Sequence, residues 1–309
     1  MITIRTKAEM RGHVAATRAA GRRVGLVPTM GAFHAGHHAL MAAARAACDE
    51  VVVSLFVNPA QFDEASDLAD YPRDEARDLA EAEALGVDVL FAPSPDEIYP
   101  AGFATSVRVA GLGDVLEGAE RGAGHFAGVC TVVAKLLNIV SPDLAYFGQK
   151  DAQQVAVLRR MVADLDIPVR LEIIPTVREP DGLALSSRNV HLDAGERARA
   201  VALSQALRAA EAALRDGERD PDRLREIALD AMAPHDVTPE YLALVDPDSL
   251  LPVDYVDGRV LLAVAARVGD TRLIDNAVLQ GSDPTPQQNE VTSRPVATPV
   301  GASTTTKEI

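Results

Sequence analysis

VVVSLFV, at residues 51–57, is rich in β-branched residues and almost entirely apolar. A strand that is buried on both faces of a parallel sheet has this composition. Similar apolar runs recur on either side of it and alternate with segments of helical character. The predicted strands are Val24–Val27, Val51–Val57, Val87–Phe91, Leu144–Phe147 and Val169–Ile174, and the predicted helices are His38–Ala47, Arg73–Leu85, Phe126–Val140 and Gln153–Leu165. This alternation predicts an α/β fold with a doubly wound parallel sheet.

The remainder of the 309-residue chain has a different organisation. Its predicted helices are Ala194–Arg215 and Arg223–Ala233, and its predicted strands are Glu240–Val245, Arg259–Val268 and Arg272–Leu279. We therefore predict a Rossmann-like domain at residues 1–175 and a smaller α+β domain at residues 176–281. Residues 282–309 contain four prolines, six threonines and no leucine or aromatic residue, so we expect a disordered tail.

The composition excludes several classes of protein. A net charge of −15 is unsuited to nucleic-acid binding, and no apolar run reaches the ~20 residues of a membrane-spanning helix. Residues 1–23 carry scattered basic residues instead of an apolar stretch, so we expect no secretory signal. Cys48 and Cys130 lie far apart in apolar surroundings. We expect both thiols to be free and buried, in a cytoplasmic protein without structural zinc.

Glycine-rich and polar segments follow the predicted strands, at the sheet edge where ligands bind in such folds. The first is VPTMGAFHAGHHAL, at residues 27–40, between a strand and a helix. His34 and His37 lie at the predicted helix start, where free N–H groups and the helix dipole favour a phosphate. They could donate hydrogen bonds to developing negative charge, although a turn with two surface histidines is the alternative. A zinc pair is disfavoured because no carboxylate follows at a suitable spacing.

A second segment, YFGQKDAQQ at residues 146–154, carries one of only four lysines in the chain. Lys150 is unfavourable at the positive end of a helix unless an anion binds there. Asp151 and Gln154 have the spacing of a helix cap, which is a structural alternative for both residues.

Two further segments offer polar groups at the same predicted edge. SLFVNPAQF, at residues 54–62, places Asn58 and Gln61 after a strand, where amides can hold hydroxyl and carboxylate oxygens. LALSSRN, at residues 183–189, offers hydroxyl and guanidinium donors for a polyphosphate. A simple turn and a solvated loop are the alternatives for the two segments.

Taken together, these segments carry a resemblance. An early His-x-x-His pair with a late Ser-Ser-Arg loop resembles the nucleotidylyltransferase superfamily. The chain is more specifically similar to the pantothenate synthetase (pantoate–β-alanine ligase) family over about residues 1–280. The matching motifs, in order, are PTMGAFHAGH, FVNPAQF, DYPR (Asp70–Arg73), EGAERGAGHFAGV, FGQKDAQQ, DGLALSSRN and RLIDN (Arg272–Asn276).

The resemblance implies an activity. ATP would activate pantoate as a pantoyl adenylate, with release of pyrophosphate, and β-alanine would then convert the adenylate into pantothenate and AMP. Mg²⁺ would accompany ATP, held largely by its phosphates, and we name no protein ligands for it. The partners would be these small molecules, with neither nucleic acid nor membrane, and the enzyme would be a homodimer.

The resemblance also implies the site residues. The catalytic residues would be His34, His37 and Lys150, with His37 similar to the family's proton donor. Gln61 and Gln154 would bind pantoate, with Gln61 also near β-alanine. The ATP site would comprise Met30, Gly31, His34, His37, Gly148, Gln149, Lys150, Asp151, Val177, Leu185, Ser186, Ser187 and Arg188.

The chain departs from the family pattern in the segment EGAERGAGHF, at residues 117–126. This segment is predicted to be a mobile flap before a helix. The usual Arg-Pro-Gly-His is replaced by a sequence with one more residue and no proline between Arg121 and His125. We therefore expect a looser flap with Arg121 displaced.

Three alternative functions stay open at this stage. One is another nucleotidylyltransferase with a different substrate, and a second is a class I aminoacyl-tRNA synthetase, against which the charge of −15 argues. The third is a catalytically silent nucleotide-binding protein. The presence of His34, His37, Lys150 and Arg188 argues against that third alternative.

Overall fold

A computed structural model describes residues 1–62, 68–69, 71–122 and 124–281 of the chain. The predicted disordered tail, residues 282–309, lies outside the described residues, as do Asp70 and Ala123 of the quoted motifs. Cys48 and Cys130 are both free and buried, as predicted. Within the described part of the chain, no helix is long and apolar enough to cross a membrane.

The first part of the chain forms a six-stranded, wholly parallel sheet. Its strands are β1 (Ile2–Ile4), β2 (Val24–Thr29), β3 (Glu50–Leu55), β4 (Val89–Phe91), β5 (Leu144–Gly148) and β6 (Arg170–Ile174), in the order β1-β4-β3-β2-β5-β6. The predicted α/β class is confirmed. The strand order reverses between β2 and β5, so the carboxyl ends of these two strands form the crevice where such sheets bind ligands.

Helices connect these strands: α1 (Lys7–Ala19), α2 (Ala35–Ala47), α3 (Glu75–Ala84), α4 (Pro95–Ile98), α5 (Glu117–Arg121), α6 (Gly124–Val140) and α7 (Ala152–Asp164). Sequence analysis missed β1 and α1. Strand β1 has three residues, and α1 buries only Met10, Val14 and Thr17, so neither produces a strong apolar pattern. The start of α1 did carry a signal, because Thr6 caps the helix by accepting from the backbone N–H of Glu9.

The rest of the described chain builds a second, antiparallel sheet. Its strands are β7 (Pro239–Val245), β8 (Arg259–Val268) and β9 (Thr271–Gln280), and its helices are α8 (Ala194–Ala200), α9 (Ala202–Arg215) and α10 (Pro221–Met232). The single long helix predicted over 194–215 is wrong, because the helix is interrupted at Val201. Each sheet has its own apolar core, which supports our proposal of a domain boundary at residues 175–176.

A buried carboxylate joins the two parts. Glu117, at the start of α5, accepts hydrogen bonds of 2.7 Å from both terminal nitrogens of Arg272 on β9. It also accepts one of 2.9 Å from the hydroxyl of Tyr241 on β7. Arg121, one turn later, adds a bond of 3.0 Å. Burial alone would raise the pKa of Glu117, but the hydrogen bonds and charge of Arg272, with Arg121, lower it to about 2. An ionised group thus ties α5 to the antiparallel sheet.

Glu117→Gln keeps the shape of this contact and removes its charge. Because the pKa of Glu117 in the folded protein lies below its ordinary value of 4.5, its stabilisation is complete above about pH 4.5 and is lost as the pH falls towards 2. We expect the variant to be about 2–3 kcal/mol less stable at pH 7, with the difference shrinking below pH 4.5. Urea unfolding of the wild-type protein and of Glu117→Gln, between pH 7 and pH 3, measures this difference in the free energy of unfolding.

Glu226→Gln, which removes an exposed partner of Arg223, is the control and should change stability little at any pH. A difference between Glu117→Gln and the wild-type protein that does not depend on pH would contradict this account of Glu117.

Candidate active site

One cavity of about 310 Å³ lies at the carboxyl ends of β2 and β5 and extends to the antiparallel sheet. It brings together most of the predicted site residues, although they are spread over more than 150 positions of sequence. The predicted residues that line it are Met30, His34, His37, Gln61, Gly148, Lys150, Asp151, Gln154, Val177, Leu185, Ser186, Ser187 and Arg188. Gly31 and Gln149 are not in the cavity wall, and their contacts with ATP stay a prediction.

Two histidines cap the helix that opens onto this cavity. Nδ1 of His34 accepts the backbone N–H of Gly36 at 3.0 Å, and Nδ1 of His37 accepts the backbone N–H of His34 at 3.3 Å. A backbone N–H can only donate, so Nδ1 of each ring is unprotonated. The proton of each neutral ring is therefore on Nε2, which makes both rings hydrogen-bond donors through that atom.

The protein keeps these rings neutral. Burial lowers the pKa of His37 to about 3, and the adjacent His34 contributes in the same direction. Burial also lowers the pKa of His34, with the charge of Lys150 as the second cause. Both histidines are therefore neutral in the ligand-free protein. They supply Nε2–H dipoles, and the charge comes from Lys150 and Arg188.

Asp78 of α3 holds the loop that precedes the two histidines, and sequence analysis missed it. Its side chain is 1% exposed and accepts the backbone N–H groups of Ala32 at 3.0 Å and Phe33 at 2.9 Å. Gly31 has a φ of +89°, and a Cβ there would lie 2.7 Å from the Asp78 carboxylate. The loop therefore needs glycine at position 31, and the pairing with Asp78 is too distant in sequence to produce a local signal.

Gln61 is oriented by a chain of hydrogen bonds that runs through the buried amide of Asn58. The Tyr99 hydroxyl donates to Asn58 Oδ1 at 2.8 Å, and Asn58 Nδ2 donates to Gln61 Oε1 at 3.0 Å. Gln61 Nε2 then lies 3.2 Å from the sulfur of Met30. Asn58 is 1% exposed, so it positions Gln61, and the alternative of a simple turn with a solvated Gln61 is wrong. Gly128 of α6 permits this packing, because a Cβ there would lie 2.2 Å from the carbonyl of Ala60.

The predicted cap at Asp151 and Gln154 is also wrong. Gln149–Asp151 forms a 3₁₀ turn, and Asp151 makes no capping hydrogen bond to α7. Its carboxylate instead lies 3.7 Å from Nζ of Lys150, whose side chain is 16% exposed. Gln154 faces the cavity, as a pantoate-binding residue would.

Gln153, the neighbour of Gln154, has a structural role. It is 6% exposed, accepts the backbone N–H of Glu117 at 2.9 Å and donates to the carbonyls of Leu112 and Val115. It therefore ties α7 to the segment that leads into α5, a contact between distant parts of the chain that its sequence position does not indicate.

Another part of the cavity wall is the loop that contains Ser186, Ser187 and Arg188. Ser186 caps a short 3₁₀ helix by accepting from the backbone N–H of Arg188 at 3.3 Å. The backbone N–H of Leu185 bonds to the carbonyl of Val177 at 2.9 Å, which closes the base of the loop. Tyr71, which sequence analysis assigned no role, reaches Ser187: burial raises the pKa of Tyr71, while the charge of Arg188 and the hydrogen bond to Ser187 oppose that shift.

The segment predicted to be a mobile flap is more ordered than expected. Glu117–Arg121 is helix α5, and its first residue is the buried partner of Arg272. Arg121 and His125 both line the cavity, and His125 Nδ1 lies 2.9 Å from the carbonyl oxygen of Gln61. A partner on the distant β9 strand therefore holds Glu117, while the looseness of the rest of the segment stays a prediction.

This arrangement suits charge stabilisation on a phosphate. Two imidazole donors, a lysine and an arginine surround one cavity, and a set of amides lies beside them. No group of three potential metal-binding side chains was found among the residues that the structure describes.

Comparisons with known proteins agree with this geometry. Residues 2–278 match the family described as pantoate-beta-alanine ligase. A pantothenate synthetase of Cereibacter sphaeroides is 53% identical over 273 residues, which cover 88% of this chain and 98% of that protein.

Two solved structures are also similar. The pantothenate synthetase of Thermus thermophilus is 46% identical and has a TM-score of 0.85, with coverage of 90% of this chain and 99% of that one. The pantoate-beta-alanine ligase of Francisella tularensis, complexed with "Beta-gamma ATP and Beta-alanine", is 34% identical with a TM-score of 0.74, and covers 90% and 97% of the two chains. With the family match and these identities over most of its length, the chain belongs to the pantoate–β-alanine ligase family.

Proposed function

We propose that this protein condenses pantoate with β-alanine in an ATP-dependent reaction that passes through a pantoyl adenylate and releases pyrophosphate and AMP. The observation that carries the proposal is the helix cap made by His34 and His37, which commits both Nδ1 atoms and leaves two Nε2–H donors at the cavity. Family membership and the ligands of the Francisella tularensis relative support the same substrates.

In the first step a carboxylate oxygen of pantoate attacks the α-phosphorus of ATP. A bond from that oxygen to phosphorus forms, and the bond from phosphorus to the bridging oxygen of pyrophosphate breaks. No side-chain nucleophile is needed, so the protein contributes position and charge stabilisation. Lys150 and Arg188 offset the negative charge, and His34 and His37 donate hydrogen bonds to phosphate oxygens. Mg²⁺ enters bound to the ATP phosphates as part of the substrate.

We assign the binding of pantoate to two amides, those of Gln61 and Gln154. Gln61 is fixed by Asn58, and Gln154 has no hydrogen-bond partner among the described residues, so its amide is available to a ligand in the cavity. Two neutral amides can hold the hydroxyl and carboxylate oxygens of pantoate without changing the charge of the attacking group. We also propose that the other predicted ATP-site residues that line the cavity contact ATP.

In the second step the amine of β-alanine, having lost a proton, attacks the acyl carbon of the adenylate. The new C–N bond forms as the acyl–oxygen bond breaks, AMP leaves with the bridging oxygen, and the nitrogen loses its second proton to solvent. Neither capping histidine can accept the amine's proton at Nε2, because that atom already carries one in the neutral ring. We therefore assign both imidazoles to charge stabilisation and not to proton abstraction.

The first test is the reaction itself. Wild-type protein with ATP, Mg²⁺, pantoate and β-alanine should yield equal amounts of AMP and pantothenate, because each turnover consumes one adenylate. With pantoate and without β-alanine, labelled pyrophosphate should exchange into ATP. Exchange that strictly required β-alanine would contradict a separate adenylate step, and an absence of pantothenate would contradict the proposed function altogether.

The second test removes the proposed phosphate contacts. His37→Ala and Lys150→Ala should each lower kcat for pyrophosphate exchange by about 10²-fold or more, the range for one transition-state donor. His38→Ala is the matched control for the histidine, since His38 pairs with Glu81 at 2.8 Å outside the cavity wall. Lys7→Ala is the control for the lysine. Near-normal exchange by His37→Ala or Lys150→Ala at saturating ATP would show that the assigned role is wrong.

A further inference from the structure

The motif RLIDN, at residues 272–276, has no role in the reaction described above. It lies on β9 of the antiparallel sheet, which is paired with β8 from residue 271 to residue 280. Each of its three polar side chains contacts a different segment of the chain that contributes residues to the active-site cavity. Arg272 holds Glu117 at the start of α5. Asp275 holds Arg178, the neighbour of the predicted ATP-site residue Val177, with bonds of 2.6 and 2.9 Å.

The third residue, Asn276, contacts the turn that carries Lys150. Its Nδ2 donates to the backbone carbonyls of Gln149 at 3.0 Å and Lys150 at 2.8 Å. Its Oδ1 accepts from the side chain of Gln149 at 3.1 Å. Asn276 is 4% exposed, so both amide hydrogens and the amide oxygen are used in a site sheltered from water.

These contacts hold the backbone from which the side chain of Lys150 extends. Gln149–Asp151 is a single 3₁₀ turn between β5 and α7. Two of its carbonyls are fixed from the other sheet by one asparagine, and this fixes the backbone from which Lys150 projects into the cavity. Chemistry that depends on the position of a charge is sensitive to shifts of about 1 Å in that charge.

We propose that Asn276 is a positioning residue that places Lys150 for the transfer of the nucleotide. This inference rests on the proposed function. Asn276 touches the backbone of the turn and not the reacting atoms, so its effect on the reaction passes through Lys150. The antiparallel sheet thereby contributes to a reaction whose direct contacts come mostly from the parallel sheet and its loops.

The test is a double-mutant cycle on pyrophosphate exchange. Asn276→Asp has nearly the shape of asparagine but replaces the two donated hydrogen bonds by an oxygen that faces two carbonyls. We expect it to lower kcat by about tenfold or more. Asn276→Ser keeps one donor and should have an intermediate effect. If Asn276 acts through Lys150, adding either substitution to Lys150→Ala should lower kcat by less than about twofold further.

The proposal is overturned if the double variant loses kcat by the product of the two single-variant losses, because Asn276 would then act independently of Lys150. Near-normal kcat in Asn276→Asp would overturn it as well. Asn138→Asp, on the exposed face of α6, makes the same chemical change away from the cavity and is the control. Thermal melting shows whether Asn276→Asp folds. If it does not fold, Asn276→Ser replaces it in the double-mutant cycle.

A second readout does not depend on turnover. Trace acylation with mass spectrometry reports the reactivity of each of the four lysines separately. In folded Asn276→Asp, the reactivity of Lys150 and its protection by ATP should change, while those of Lys7 and Lys135 should not. Unchanged Lys150 reactivity would overturn the positioning role. An inactive wild-type protein would instead overturn the proposed function.

Discussion

The start of helix α2 is the constraint on which the active site depends. His34 and His37 satisfy backbone N–H groups there through their Nδ1 atoms, a task that Ser, Thr, Asp or Glu performs at most helix starts. The rings thus cap the helix and, by the same contacts, acquire a defined tautomer. Buried neutral imidazoles keep the Nε2–H groups at the cavity without adding charge at the helix terminus.

The charges around this cap are placed by distant parts of the chain. A protein with a net charge of −15 needs local cations to accept a nucleoside triphosphate, and Lys150 and Arg188 supply them from two segments that line the same cavity. The acidic groups near the cavity that would oppose them are largely neutralised, since Glu117 is paired with Arg272 and Asp275 with Arg178. The antiparallel sheet provides Arg272 and Asp275, which explains why a short motif far along the chain belongs with the nucleotide site.

Much of the fold and of the cavity could be predicted from the sequence. Buried parallel strands such as residues 51–55 have an apolar signature, and the rule that ligands bind beyond strand carboxyl ends directed attention to the loops that contain His34, Gln61, Lys150 and Arg188. The residues that position these groups could not be found in the same way. Asp78 contacts a loop more than forty positions earlier, and its carboxylate on the surface pattern of α3 resembles any solvated acid.

Predictions from short sequence patterns were also wrong for some residues that fit two roles. The spacing of Asp151 and Gln154 fits a helix cap, but the 3₁₀ turn directs Asp151 towards Lys150 and leaves Gln154 at the cavity. The segment after Leu116 contains glycines and charges typical of a loose flap, yet Glu117 is fixed by Arg272, more than 150 positions away. At Glu117 a long-range partner decides the conformation, and single-sequence patterns contain no information about such partners.

The central claim is that the two capping histidines are neutral donors through Nε2. Long-range ¹H–¹⁵N NMR of the ligand-free protein, with His34→Gln and His37→Gln spectra for assignment, measures the tautomer and the pKa of each ring. The account predicts the Nε2–H tautomer for both, with His37 remaining neutral as the pH is lowered through 6.5 and beginning to titrate only near its pKa of about 3. An Nδ1–H tautomer at either ring, or titration of His37 near pH 6.5, would contradict it.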